Sequence, residues 1–179
     1  MKLLKKILAV VFILILLPFV IALFTPKDYS IKKEITINQP KELVFDFLRY
    51  LKNMKKYSSW AEMDPNMKES FSGVDGQVGF IGAWNSDHKD VGVGEQEITK
   101  ITPGERIDFD LRFYEPFKAN DSGYFTTETV SNNQTKIVWG FNGHMDYPMN
   151  IMMLFMDFET MIGNDFEKSL VKLKALLEK

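Results

Sequence analysis

The hydrophobic pattern of the chain begins with a segment that has no polar side chain. Residues 7–24 read ILAVVFILILLPFVIALF, a run of 18 residues without a charge. At about 1.5 Å per residue, a helix of this length spans roughly 27 Å, which is close to the roughly 30 Å hydrocarbon core of a bilayer. The pattern therefore predicts one transmembrane helix over residues 1–24, with the remaining residues 25–179 as the domain that it carries.

Two alternatives to a membrane span stay open for this segment. Lys2, Lys5 and Lys6 give a basic start, as in a secretory signal. Val20 and Ala22 form a possible cleavage pair, although the apolar run exceeds the roughly 7 to 15 residues usual for such signals. A buried core helix is the second alternative, but a soluble helix should have a polar face. If the helix spans, the three lysines favour a cytoplasmic N-terminus and an extracytoplasmic domain.

After this segment, the period of the apolar residues changes from strand-like to helical. Ile31, Ile35 and Ile37 share one face of YSIKKEITIN, whose other face is charged, so the pattern predicts a strand with one buried side. Pro40 suits the first turn of a helix, and apolar residues then recur at helical spacing. A helix or a pair of helices is predicted from Pro40 to about Lys56.

From Glu69 onward, short alternating runs separated by glycine and asparagine predict an antiparallel meander. The clearest strand is RIDFDLRF, in which apolar and charged residues alternate between 107 and 113. The tetrapeptide TPGE at 102–105 predicts the turn before it. Ser131–Asn133 predicts the loop of a later hairpin.

The last segment returns to helical spacing. A long helix is predicted from about Asn150 to Leu177, where apolar residues recur every three or four positions. Gly163 and Asn164 allow a bend in its middle.

This order of a strand, a helix, about six strands and a long C-terminal helix resembles the helix-grip domain of the SRPBCC, or START-like, superfamily, especially its bacterial polyketide cyclase/dehydrase-like branch. The resemblance covers nearly all of residues 25–179 and rests on TINQPKELVFDFLRYLKN, GVGEQEITKITPGERIDFDLRF, ETVSNNQTKIVWGFNG and IGNDFEKSLVKLKALLE. It implies an α+β fold, in which a curved antiparallel sheet of about six or seven strands grips the long helix. It also implies an elongated apolar cavity, which in relatives holds lipids, sterols, hormones or polyketides. No catalytic residue transfers with the resemblance.

Charge narrows the range of partners. Three of the 22 basic residues and none of the 24 acidic residues precede residue 25, so the domain keeps 19 basic and 24 acidic residues and a formal charge of −5. A net acidic domain argues against a nucleic acid or an anionic lipid surface as an electrostatic partner. The expected partners are therefore a hydrophobic small molecule or lipid, together with the membrane.

The polar residues predict no catalytic site, metal site or cofactor. The chain has no cysteine and only two histidines, which excludes thiolate catalysis and cysteine-ligated zinc. Carboxylates at 95, 97, 108 and 110 could approach one another as calcium ligands, but a solvated outer sheet face is the better interpretation. His144 with Asp146 suggests acid-base chemistry. The simpler interpretation is that both are ordinary surface residues.

The apolar residues predict a ligand-binding cavity more strongly. Fifteen phenylalanines, three tryptophans and ten methionines suit such a cavity, and six of the methionines lie between 145 and 161, where they form either core packing or a pliable gate. Core packing alone would select nearly the same wall residues. The predicted pocket wall consists of Trp60, Phe80, Trp84, Phe109, Phe113, Trp139, Phe141, Met152 and Met156.

Three functions fit these observations. The first is a membrane-anchored domain that binds a hydrophobic molecule without catalysis. The second is an enzyme acting on an apolar substrate, such as a cyclase, which requires an inward-facing acid or histidine among Glu97, Glu128 and His144. The third is a cell-envelope interaction module with a vestigial cavity.

Overall fold

The computed structural model describes residues 2–179, which form a long N-terminal helix followed by one sheet with helices packed on its apolar face. The elements follow in this order: α1 (Lys2–Phe24), β1 (Asp28–Ile37), α2 (Lys41–Arg49), a first 3₁₀ helix (Leu51–Lys56), α3 (Ser59–Met63), β2 (Lys68–Ser72), β3 (Ile81–Asn85), β4 (Val93–Thr102), β5 (Arg106–Glu115), β6 (Ala119–Ser131), β7 (Gln134–His144), a second 3₁₀ helix (Met149–Leu154) and α4 (Phe158–Leu177).

The seven strands form one antiparallel sheet in the order β1-β7-β6-β5-β4-β3-β2. With the C-terminal helix, this sheet is the predicted α+β helix-grip architecture, so the predicted fold class is confirmed. The turns also lie where the sequence predicts them. Residues 103–105 join β4 to β5, with Gly104 at a φ of +72° that suits glycine, and Asn132 and Asn133 join β6 to β7.

Alternation along the strands sorts apolar side chains to one face of the sheet. In β5, Ile107 and Phe109 are buried whereas Asp110 is exposed. In β7, Ile137 and Trp139 are buried on the same face. Since successive strand residues point to opposite faces, this pattern places these buried apolar side chains together on the inner face of the sheet.

The predicted helical stretch from Pro40 to Lys56 is confirmed as a pair of helices. Pro40 immediately precedes α2, and the chain turns at Tyr50 into the first 3₁₀ helix. Val44 and Leu48 of α2 are fully buried against the sheet. Their spacing of four residues puts both on one helical face.

The C-terminal helical region differs from the single helix predicted over 150–177. It consists of the second 3₁₀ helix and α4, with the break at 155–157. Asp157 begins α4 as its N-cap, where its side chain accepts hydrogen bonds from the backbone N–H (2.9 Å) and the hydroxyl (2.6 Å) of Thr160. Gly163 and Asn164, where the sequence allows a bend, both lie within the continuous helix α4. A Cβ on Gly163 would be 2.8 Å from Cε of Lys33, so this glycine lets α4 approach β1 closely.

Aromatic stacking attaches α4 to β7, beside the β1 edge of the sheet. The rings of Phe166 on α4 and Trp139 on β7 are parallel within 11°, with centroids 4.3 Å apart. Hydrogen bonds from Ser59 N–H to Ser169 Oγ (2.9 Å) and from Ser59 Oγ to the Asp165 carbonyl (3.2 Å) then fix α3 to α4. The sheet, α3 and α4 therefore meet in one cluster.

The end of α1 is attached to the domain by a buried asparagine. Asn150, in the second 3₁₀ helix, is 0% exposed, and its Nδ2 donates to the carbonyls of Ala22 (2.7 Å) and Thr25 (2.9 Å). These carbonyls lie at the C-terminal end of α1, where backbone acceptors have no partner within the helix. Only residues 25–27 separate α1 from β1.

Helix α1 is otherwise largely exposed, with Ala22 its single buried residue among 2–24. It is long and apolar enough to cross a membrane, and an N-terminal signal sequence would have the same features.

His144 links the ends of β7 and β1 at the protein surface. Its Nδ1 lies 2.6 Å from Oδ1 of Asp28, the residue opposite it in the β1–β7 register, and its Nε2 lies 3.4 Å from Oδ1 of Asp146. The hydrogen bond to Asp28, followed by that to Asp146, raises the pKa of His144 above its usual value of 6.5.

Replacing Asp157 with alanine should lower the free energy of unfolding by about 1 kcal/mol, because α4 loses its N-cap. Urea unfolding of the full chain in mild detergent measures this change. Asn164→Ala, at an exposed position within α4, is the matched control and should change the same quantity by less than about 0.5 kcal/mol. Equal effects of the two substitutions would contradict the capping role.

Asp28→Asn should lower the pKa of His144 toward 6.5, because the ring loses its strongest acceptor. A group with a raised folded-state pKa stabilises the fold fully below its unfolded pKa, and this contribution is lost as the pH rises through the folded value. Replacing Asp28 should therefore cost stability below about pH 6.5 and much less at alkaline pH. NMR titration of His144 in both proteins tests this, and an unchanged pKa would show that Asp28 is not its partner in solution.

Candidate ligand-binding cavity

A cavity of about 280 Å³ lies on the inner face of the sheet, between β2–β5 and the helical layer. Its lining residues come from seven parts of the chain: Leu51, Met54, Lys55 and Ser58 in and after the first 3₁₀ helix; Trp60 and Ala61 of α3; Met67, Glu69 and Phe71 in and before β2; Gly82, Ala83 and Trp84 of β3, with Asp90 and Val91 after it; Gln96 of β4 with Phe109, Leu111 and Phe113 of β5; Trp139 and Phe141 of β7; and Ile162 and Phe166 of α4.

The position of α4 explains why the cavity lies at this end of the sheet. Helix α4 packs against β1 and α3, so it covers the sheet near its β1 edge. Farther from that edge, inner-face residues of β3, β4 and β5 line the cavity. Phe71, which is 44% exposed, and Asp90, which is also exposed, place the rim of the cavity beside β2 and the β3–β4 connection.

Glycine shapes the wall at the β3–β4 contact. A Cβ on Gly94 would lie 2.6 Å from Cζ2 of Trp84, the residue opposite it on β3. The absence of a side chain therefore lets the indole of Trp84 lie against β4. Its ring also meets Phe113 edge-on, with centroids 5.9 Å apart and planes at 71°.

Six of the nine residues predicted for the pocket wall lie on the lining of this cavity. They are Trp60, Trp84, Phe109, Phe113, Trp139 and Phe141. Five of the six lie on strands of the predicted meander, whereas Trp60 lies on α3, beyond the helical stretch predicted to end at about Lys56. Whether they contact a ligand stays a prediction.

The other three predicted wall residues do not line the cavity. Phe80 is 1% exposed and precedes β3, and its ring stacks on Phe71, with centroids 5.9 Å apart, so it supports the wall from behind. Met152 lies in the second 3₁₀ helix and Met156 follows it. This segment contacts the end of α1 instead, because the helical region breaks before α4 begins.

The aromatic end of the cavity has a defined geometry. The ring of Trp60 meets Trp139 at 76° and Phe166 at 87°, with centroids 6.2 and 5.9 Å apart. Such edge-to-face pairs are favourable arrangements of aromatic quadrupoles. Three rings from α3, β7 and α4 thus form a packed apolar surface against which a flat or chain-like molecule can lie.

Some polar residues of the cavity lining have an ion-pair or hydrogen-bond partner, and Gln96 has none for its amide nitrogen. Lys55 and Glu69 form an ion pair, with Nζ 2.5 Å from Oε2. Gln96 is 6% exposed, and its Nε2 is buried without a hydrogen-bond partner among the described residues. Gln96 is not among the predicted site residues, although the alternation in VGEQEITK puts it on the same face as the buried Ile98.

The three residues named for an enzymatic alternative all lie outside the cavity lining. Glu97 accepts a hydrogen bond from Nη2 of Arg112 (2.7 Å) on the outer sheet face. Glu128 is exposed and pairs with Lys136. His144 is the surface link between β7 and β1 described above.

Three of the four carboxylates considered as calcium ligands form ion pairs with arginines instead. Arg112 bonds both Glu95 (2.5 Å) and Glu97, and Arg106 bonds Asp108 (2.7 Å). Among residues 2–179, no three histidine, aspartate or glutamate side chains are arranged to hold a metal ion. The outer face of β4 and β5 is thus an ion-paired, solvated surface.

No protein-family model and no curated protein sequence matches the chain. Solved structures match it through their fold. Norcoclaurine synthase from Thalictrum flavum, in an X-ray structure with dopamine and hydroxybenzaldehyde, has a TM-score of 0.63 at 10% identity over 87% of this chain and 89% of that one. The Aha1 dimer from Colwellia psychrerythraea has a TM-score of 0.57 at 21% identity over 84% of this chain and 96% of that one.

A third match is Ara h 8.0201, with a TM-score of 0.55 at 12% identity over 84% of this chain and 95% of that one. At these identities the likeness concerns the fold. The order of the seven strands, the helix that they grip and these matches together show that the chain has the SRPBCC/Bet v 1-like helix-grip fold.

Proposed function

We propose that this chain is a membrane-anchored domain that binds a hydrophobic small molecule or lipid in its internal cavity, without catalysis. The observation that carries the proposal is the cavity of about 280 Å³ on the inner face of β2–β5, whose deeper wall is aromatic and buried. Its volume is close to the lower end of the range of ligand sites, roughly 300 to 1,000 Å³.

The energetics of the lining favour an apolar occupant. Transfer of apolar surface out of water contributes roughly 25 cal/mol per Å², so a ligand that buries about 200 Å² gains on the order of 5 kcal/mol before the costs of association. The rim carries the ion pair of Lys55 with Glu69, whereas the interior presents mainly rings and aliphatic groups. A charged ligand deep in this cavity would lose its hydration without a buried counter-charge.

One similar solved structure supports a small-molecule occupant of the cavity. Norcoclaurine synthase, which shares the fold, was solved in complex with dopamine and hydroxybenzaldehyde, two small aromatic molecules. For this chain, the absence of Glu97, Glu128 and His144 from the cavity lining favours binding over the cyclase alternative.

The anchor forms the second half of the proposal. Residues 1–24 would cross the bilayer, with Lys2, Lys5 and Lys6 on the cytoplasmic side and residues 25–179 outside. The two hydrogen bonds from Asn150 and the three-residue connection would hold the domain close to the membrane surface. Apolar ligands would then exchange between the cavity and the bilayer.

Filling the cavity should abolish ligand retention. Gly82 lines the cavity, and a Cβ there would lie 3.7 Å from the Phe71 ring, an ordinary contact, so the side chain of a Gly82→Leu variant can enter the cavity without a backbone clash. We expect native mass spectrometry of the full chain released from membranes to show an apolar molecule bound to the parent protein and not to Gly82→Leu.

The matched control is Ser70→Leu, on the neighbouring strand at an exposed position outside the cavity lining. It adds the same side chain but should keep the bound molecule. Equal occupancy in Gly82→Leu and Ser70→Leu, or a parent protein without any bound molecule, would contradict the binding proposal.

Removing the asparagine contact should loosen the domain relative to α1. The chain has no cysteine, so spin labels can be placed at Leu16→Cys and Asn133→Cys without background. Pulsed EPR in nanodiscs should give a narrow distance distribution in the parent protein and a broader one after Asn150→Ala. Asn142→Ala, an exposed asparagine on β7, serves as the control. A distribution that stays narrow in Asn150→Ala would show that Asn150 does not orient the domain.

A further inference from the structure

Four polar side chains on the inner face of the sheet can be compared by their partners. Thr127 donates to the Gly104 carbonyl at 2.9 Å, and Thr135 donates to the Gln39 carbonyl at 2.7 Å. Glu69 is paired with Lys55 at the cavity rim. Gln96 differs from these three, because its Nε2 is buried and bonds no group in residues 2–179.

An unpartnered amide at this depth is unfavourable for the protein alone. Buried polar groups in native structures nearly always have a hydrogen-bond partner, and each exception requires an explanation. Gln96 is 6% exposed and belongs to the cavity lining, so the cavity is the place from which a partner can come.

The strand neighbours of Gln96 supply no second side-chain partner for a water. A buried water needs two to four polar partners. Its cross-strand neighbours are Gly82 on β3 and Leu111 on β5, and the next inward positions along β4 are Gly94 and Ile98. None of these four residues has a polar side chain, so the strand neighbours leave a water bound to Gln96 without a second partner, whereas a ligand oxygen is held in place by the rest of its molecule.

We infer that Gln96 determines ligand specificity, and that the ligand is a neutral, largely apolar molecule with a hydroxyl or carbonyl group hydrogen-bonded to the Gln96 carboxamide. This inference rests on the proposed binding function. A carboxamide presents a donor or an acceptor by rotating about its last bond, so it fits either oxygen group. Neutrality follows because the charged groups of the lining lie at the rim, where Lys55 is paired with Glu69 and Asp90 is exposed, so the interior offers no counter-charge.

A pair of matched probes tests the inference. The probes 2-naphthol and 2-methylnaphthalene have the same two-ring skeleton and differ by a hydroxyl in place of a methyl group. Binding of each probe is measured by equilibrium dialysis against the full chain in nanodiscs, with empty nanodiscs to subtract lipid partitioning. The quantity compared is the ratio of the two dissociation constants, since partitioning is the same for every variant.

The variants separate the amide from the shape of the side chain. Gln96→Met keeps an unbranched chain of similar length and removes both hydrogen-bonding groups, and Gln96→Leu repeats the test should the first variant fold poorly. Gln77→Leu, at an exposed loop position, is the control. We expect Gln96→Met to shift the ratio toward 2-methylnaphthalene by about fivefold to tenfold, with Gln77→Leu unchanged.

The probe measurements distinguish failure of the Gln96 inference from failure of the proposed binding function. If the parent protein binds both probes and Gln96→Met leaves the ratio unchanged, Gln96 does not hydrogen-bond the hydroxyl of the ligand, although the cavity still binds apolar molecules. An equal loss of both probes in Gln96→Met would assign Gln96 a structural role and would also overturn the inference. If the parent protein binds neither probe, the proposed binding function fails, and this inference fails with it.

Discussion

The rest of the structure depends on the stacking of Trp139 on Phe166, where a sheet residue and a helix residue meet with ring centroids 4.3 Å apart. This contact sets the position of α4 over the β1 side of the sheet, and Trp60 closes the cluster by meeting both rings edge-on. On one side of the three rings lies the packed core, and on the other lies the cavity. One aromatic cluster therefore stabilises the helix-grip fold and gives the cavity its apolar end.

The position of α4 also connects the cavity to the N-terminal helix. Asp157 begins α4 directly after the segment that contains Asn150, and Asn150 bonds the end of α1. The path from α1 to the aromatic cluster thus runs through one short segment, residues 149–157. Under the proposed function, this segment would set the orientation of the domain at the bilayer surface, and its methionines would lie on the membrane side rather than in the cavity wall.

The helical period and the strand alternation of apolar residues predict those features of the fold that depend on local sequence. The alternation around Phe109 identifies the inner face of β5, and the spacing of Phe166 identifies the buried face of α4. Most of the fold and the five wall residues that lie on strands follow from such patterns. The break before Asp157 was missed because one helical period continues through it. Phe80 is apolar, but its position behind the wall depends on the packing of Phe71. Gln96 was missed because alternation gives its direction, whereas the absence of a partner depends on residues brought together from β3, β4 and β5.

The most direct test of the account is a crystal structure of the full chain purified from the membranes in which it was expressed, without added ligand. We predict continuous density for a largely apolar molecule along Trp139, Phe109 and Phe166, with one of its oxygen atoms within hydrogen-bond distance of the Gln96 carboxamide. A cavity that contains only ordered water, or one closed by rearranged side chains, would contradict the account.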